Sequence, residues 1–155
     1  MVPYLTSQNI WRAFVARIRS KANLRAALTG GIHEGLAAEK VDYPYLVWTA
    51  VVPGVKEDTW NTRLLLALGD VLIVSRSSVE ASNLDQLVAE VLDEAPLEII
   101  GQRTLICHRV ADIRLVDSDE EGHRIYRIGG SYEIMTSQVE GVRSPYRFTV
   151  DAVVG

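Results

Sequence analysis

Across residues 7–28 the apolar positions Ile10, Trp11, Phe14, Val15, Ile18 and Ala22 recur at helical spacing, and Gly30-Gly31 supplies a stop. This predicts a first amphipathic helix. Residues 31–35 fit a short strand or turn, and Tyr45 to Val52 then forms a run of aromatic and β-branched residues, bounded by Pro44 and Pro53-Gly54, that suits a strand. Alternation puts Tyr45, Val47, Thr49 and Val51 on one side of that strand and Leu46, Trp48, Ala50 and Val52 on the other. Both sides are mostly apolar. An antiparallel sheet usually leaves one face in water, so more of the chain or a second subunit must cover the other.

Residues 53–62, PGVKEDTWNT, read as a long loop or hairpin tip. Trp60 there either folds back over the local core or anchors a partner. Leu64–Leu68 and Val71–Val74 are apolar runs separated by Gly69-Asp70, consistent with one bulged strand or two short ones. The period then changes. Leu84, Leu87, Val88, Val91 and Ala95 follow a helical stripe, Ser77 and Glu80 can form a capping box, and Pro96 closes the element. Burying each leucine or valine contributes about 1.5–3 kcal/mol, but ordering each residue costs about 1–2 kcal/mol, so this second helix needs a sheet to lie on. Glu90, Asp93 and Glu94 must face outward.

Two extended segments follow, residues 104–116 and 124–135, joined by DSDEEG at 117–122; they should pair as a hairpin. In the second, Tyr126, Ile128, Tyr132 and Ile134 share one face, and Arg127, Ser131 and Glu133 the other. Residues 139–155 are less periodic, and RFTVDAVV suits a terminal strand or an arm. Together the elements predict one α+β domain over residues 1–155, with 139–155 a candidate C-terminal arm. Its antiparallel or mixed sheet should have about five strands, with two helices packed on one face.

A chain of 155 residues, 48% hydrophobic and 23% charged, is sized for one core. The single cysteine, Cys107, excludes an internal disulfide and fits a reducing compartment. Neither a cleaved secretion signal nor a membrane span is expected, and the chain reads as soluble. Net charge is −4, which argues against broad nucleic-acid binding. Its placement is polar: Arg12, Arg17, Arg19, Lys21 and Arg25 lie in residues 1–30 without an acid, and Glu80, Asp85, Glu90, Asp93 and Glu94 lie in 80–95 without a base. The excess of arginine over lysine suits planar ion pairing at an interface, and a genome-wide composition bias produces the same excess.

Catalytic and cofactor signatures are not found. Asp117, Asp119, Glu121 and Gly122 match part of a calcium-binding loop, but its final bidentate position holds Ile128 and its flanks are strands, so a solvated turn is expected. His33, His108 and His123 lack zinc-site spacing. Cys107 and His108 point to opposite faces of a strand and cannot form a nucleophile–base pair. Gly30-Gly31 and Gly129-Gly130 lack the lysine and hydroxyl residue of a phosphate loop; the second pair, inside a strand, marks a bend or a close backbone approach. No catalytic, cofactor-binding or metal residue is assigned.

The order of elements carries a resemblance. A basic N-terminal helix, GGIHEGLAAEKVDYPYLVW leading into an aromatic strand, the acidic helix ending in LDEAPLEIIGQRTLICHRV, and the hairpin HRIYRIGGSYEI resemble the tail terminator (tail completion) family of long-tailed bacteriophages and related particles, over residues 10–138. The resemblance implies a virion structural protein, made in the host cytoplasm, that forms a homo-hexameric ring on the head-proximal end of the tail tube. Such a ring stops tube polymerisation and offers a surface to the head-completion or connector protein. Its partners would be further copies of itself, the tail tube protein and the connector, with DNA passing through ungripped; neither a cofactor nor a membrane is implied. In a ring each subunit presents two different complementary surfaces. Arg12 and Arg19 on the first helix, Asp85 and Glu90 on the second, and Trp60 are the candidate interface residues. Alternatively the two oppositely charged helices lie side by side within one subunit. The rival functions are a head–tail adaptor or other neck protein and, from another class, a small α+β ligand-binding protein or hydrolase.

Overall fold

The computed structural model describes residues 6–37, 40–58, 63–94 and 96–138. In chain order the elements are α1 (Ser7–Arg19), α2 (Ala22–Ala27), β1 (Ile32–Glu34), β2 (Tyr45–Asp58), β3 (Arg63–Ser75), α3 (Ser78–Asp93), β4 (Gln102–Ser118) and β5 (Arg124–Gln138). The strands form one five-stranded sheet in the order β1-β2-β3-β5-β4. β1 is parallel to β2, and the remaining neighbours are antiparallel. The helices pack on one face, as the apolar pattern requires.

Three details differ from the sequence expectation. The first helix is two helices: the Ser20 hydroxyl donates to the Arg17 carbonyl at 2.6 Å, competing with the helical ladder, and Lys21 adopts an extended conformation. The break turns Leu24 and Leu28 into the core. β2 does not end at Pro53; its register moves from Val51 opposite Leu68 to Gly54 opposite Leu66, so the proline sits in a bulge, where a missing N–H is tolerated. β3 passes through Gly69-Asp70 as one strand without a register shift. Trp60 and residues 139–155 lie outside the described residues.

The core lies between the sheet and the helices. Ile10, Phe14 and Ile18 of α1 meet Leu46 and Trp48 of β2, and Phe14 and Trp48 stack with ring centroids 3.9 Å apart. Trp48 lies across the backbone of Gly69, where an added Cβ would stand 3.1 Å from the indole. Leu84, Val88, Val91 and Leu92 of α3 pack over Val71, Ile73, Ile128, Tyr132 and Ile134. The Ser77 hydroxyl accepts the Glu80 N–H at 3.2 Å, as a capping box requires. The return arm is relayed: Glu80 accepts from the Ser75 hydroxyl at 2.7 Å, and Ser75 accepts the Ser77 N–H at 3.1 Å.

The face away from the helices is covered in part by the chain itself. The segment joining β1 to β2 crosses it, and Ala37, Val41 and Tyr43 pack with Tyr45, Val74, Ile125 and Val47 in a second, smaller cluster. Gly30 is required for this crossing, because a Cβ there would fall 1.8 Å from the Asp42 carbonyl oxygen. Beyond this cluster, among the described residues, the face carries apolar side chains interrupted by the hydrogen bond from Ser131 to Asp70 and by Glu133 and His108. Register aligns Leu66, Met135 and Ile106 in one cross-strand row and Leu72, Gly129 and Ile113 in another, and Leu68 and Leu115 are also exposed.

Replacing Ser77 by alanine should lower the unfolding free energy by about 1 kcal/mol through loss of the cap. Chemical denaturation checks this, with Ser82→Ala on the same helix as a control that should change stability little.

Candidate assembly surfaces

Of the sequence-predicted interface residues, Arg12 and Arg19 of α1 and Glu90 of α3 are exposed. Among the described residues Glu90 accepts a long contact from Gln86, at 3.5 Å. Asp85 is different. It is buried, and both its carboxylate oxygens are taken by Arg109 of β4, at 2.9 and 3.0 Å. The oppositely charged helices also meet within the subunit at their C-terminal ends. Lys21 pairs with Glu94 at 2.6 Å, and the Arg17 guanidinium donates to the carbonyls of Val91 and Pro96 at 3.3 and 2.7 Å, where the negative end of the α3 dipole lies.

Arg109 is not among the residues the sequence predicts for the interface. Besides Asp85 it donates to Asp112 at 2.7 Å, to the Tyr132 hydroxyl at 3.4 Å and to the Gly129 carbonyl, and its guanidinium lies 5.9 Å from the Tyr132 ring centroid. The glycine pair was the available signal. A Cβ on Gly130 would stand 2.4 Å from Arg109 Nε, so only glycine leaves room for the guanidinium against the sheet. Hydrogen bonding to Asp85 holds the Arg109 pKa above its ordinary value, and burial pushes the Tyr132 phenol up. Arg109 and these acids converge without His108, which lies on the other face, and their hydrogen bonds are made inside the subunit, tying α3 to the edge of the sheet.

The other chemically distinctive groups resolve similarly. At the β4–β5 tip Asp119 accepts the N–H groups of Glu121 and His123 at 3.0 and 2.8 Å, so its carboxylate holds the turn together. Ligand atoms of Asp119, Glu121 and His123 lie within 4.8 Å of one another at this largely exposed tip. Cys107 is directed among the helix-facing side chains, and His108 lies opposite Glu133 on the other face, as alternation predicts. Burial raises the Cys107 thiol pKa to about 11, helped by Asp93 and opposed by Arg17. A surface groove of about 600 Å³ lies between the β1–β2 crossing and the hairpin tip, lined by Tyr43, Tyr45, Arg76, Asp119 and Arg127 among others. Arg76 bridges its rim, 5.0 Å from the Tyr43 ring centroid and 3.5 Å from Asp119.

No family model and no curated protein matches the chain. Among solved structures, a chain of the "virion of native gene transfer agent (GTA) particle" has the same fold, with a TM-score of 0.69 at 13% identity; the match covers 87% of this chain and 99% of that one. The likeness is one of fold.

Two outcomes are expected. Arg109→Met alone should cost about 3–5 kcal/mol, because it strands Asp85 as a buried charge, whereas adding Asp85→Leu should recover much of that loss. Denaturation of the wild type, the single variant and the double variant checks it. The neutral thiol of Cys107 is favoured on folding, so its contribution is fully present below pH 9.0 and is lost as pH rises through about 11. Comparing the urea midpoints of the protein and Cys107→Val between pH 8 and 11 should therefore show wild type losing more stability.

Proposed function

We propose that this chain is a non-enzymatic structural protein of a phage-like particle and, more finely, a tail terminator. In this reading it assembles as a ring, six subunits being the expected number, at the head-proximal end of the tail tube and joins the tube to the head connector. The observation that carries the reading is the fold: the match covers 99% of a chain of a gene transfer agent virion particle and 87% of this one. An open sheet face supports it. Among the described residues Leu68, Ile106 and Leu115 are exposed on that face and Leu66, Leu72, Ile113 and Met135 are half-buried, and exposed apolar side chains gathered on one face suit a contact surface.

The exposed charges of Arg12, Arg19 and Glu90 are free to act between neighbours, with Asp85 contributing indirectly by holding α3 in place. DNA passes through such a ring without specific contact, compatible with an acidic chain. Catalysis is not required by any part of this account.

Two experiments test it. Particles lacking the protein should carry tails of uncontrolled length, and adding it to polymerising tube protein should stop elongation; tubes that elongate unchanged would contradict the terminator role and leave a neck adaptor as the alternative. Arg12→Glu with Arg19→Glu, and separately Glu90→Lys, should weaken the ring while leaving the subunit's melting temperature within about 2 °C, since exposed substitutions change stability little. A drop in subunit stability without loss of the ring would remove these residues from the interface.

A further inference from the structure

The turn joining β4 to β5 gathers donors that the assembly surfaces do not use. Asp119, Glu121 and His123 are the one group of three metal-ligating side chains brought together among the described residues, with ligand atoms all within 4.8 Å of one another. His123 Nδ1 stands 3.3 Å from Asp119 Oδ2 and 3.5 Å from Glu121 Oε2. Both separations are long for charge-assisted hydrogen bonds, which close to about 2.7–2.9 Å. Around a tetrahedral zinc ion with bonds of about 2.0–2.1 Å, neighbouring donors stand about 3.3–3.4 Å apart. The spacing at His123 is that of ligands around a small cation.

The backbone holds these donors in place. Asp119 Oδ1 accepts the N–H groups of Glu121 and His123 at 3.0 and 2.8 Å, which leaves Oδ2 beside the imidazole. The Asp119 N–H donates to the His123 carbonyl at 2.9 Å, and the Gly122 N–H to the Asp119 carbonyl at 3.0 Å. Gly122, with a φ of 83°, supplies the left-handed residue that the turn requires. A turn already closed by its own backbone loses little chain entropy when an ion binds. Arg76 is the competing cation, 3.5 Å from Asp119 Oδ2, and its side chain is 56% exposed and able to turn away.

We propose that this turn is a site for a divalent transition metal of the zinc type. Asp119 Oδ2, Glu121 Oε2 and His123 Nδ1 are its three protein ligands, the proton of the neutral ring sits on Nε2, and water completes the coordination. One imidazole with two carboxylates suits zinc. Calcium is disfavoured, because it takes about six to eight oxygens and Ile128 stands where a calcium loop carries its bidentate glutamate. A bound ion would fasten the turn at the rim of the groove lined by Tyr43 and Arg76. This inference does not depend on the terminator reading.

Titration calorimetry of the untagged full chain with zinc chloride, repeated with calcium and magnesium chloride, tests it. One zinc ion should bind per chain, at least about tenfold more tightly than calcium or magnesium, and native mass spectra should show a single zinc adduct. His123→Ala and, separately, Glu121→Gln should each weaken zinc binding by about tenfold or more. Their metal-free melting temperatures should move little, since both side chains are exposed. His108→Gln, on the sheet face away from the helices, should bind zinc as the wild type does. An absence of saturable zinc binding would overturn the proposal, and so would binding that survives both turn substitutions or that favours calcium.

Discussion

The bidentate pair between Arg109 and Asp85 is the constraint around which the sheet and its largest helix are arranged. It joins the centre of α3 to the outer strand β4, and neither charge is well solvated: the side chains are 22% and 13% exposed. A pair removed from water is tolerated only when its remaining donors are satisfied, and Asp112, Tyr132 and the Gly129 carbonyl meet that requirement. Room for the guanidinium comes from Gly130, which leaves the strand surface bare. Gly130 inside β5, costly for strand propensity, is thus explained by the packing of an arginine on a different strand, and Gly129 beside it by the β3 backbone, where an added Cβ would stand 1.7 Å from the Val71 carbonyl oxygen.

With α3 so fixed, the two faces of the sheet take different roles. The helical face is closed by α1, α2 and α3, and the Lys21 and Arg17 contacts at the end of α3 complete the closure. The opposite face is covered only where the β1–β2 crossing folds over Tyr45 and Val74. The doubly apolar strand at Tyr45 therefore has two kinds of cover: helices over Leu46 and Trp48, and the chain's own loop over Tyr45 and Val47. The apolar rows farther along β3, β5 and β4 have no such cover among the described residues.

Much of this organisation was legible in the sequence. The helix stripe of α3, its cap, the β4–β5 hairpin and the face assignment of Ile128, Tyr132 and Ile134 all follow from periodicity and turn residues, which act locally. The break between α1 and α2 was hidden because Leu24 and Leu28 continue an apolar pattern even though Ser20 and Lys21 interrupt the backbone. The continuation of β2 past Pro53 was hidden because a bulge reconciles proline with pairing, and only the partner strand reveals it. Asp85 looked like an interface acid because its partner lies far away in the sequence. Charge segregation along a chain cannot distinguish a pair inside one subunit from a pair between two.

The proposed closure of this chain into a ring is tested by native mass spectrometry of the full chain across concentration and salt, with negative-stain images of the same samples. The account predicts a closed oligomer, six subunits around a central opening, that loosens as salt screens the exposed charges. A monomer at every concentration, with no ring formed on added tube ends, would contradict it.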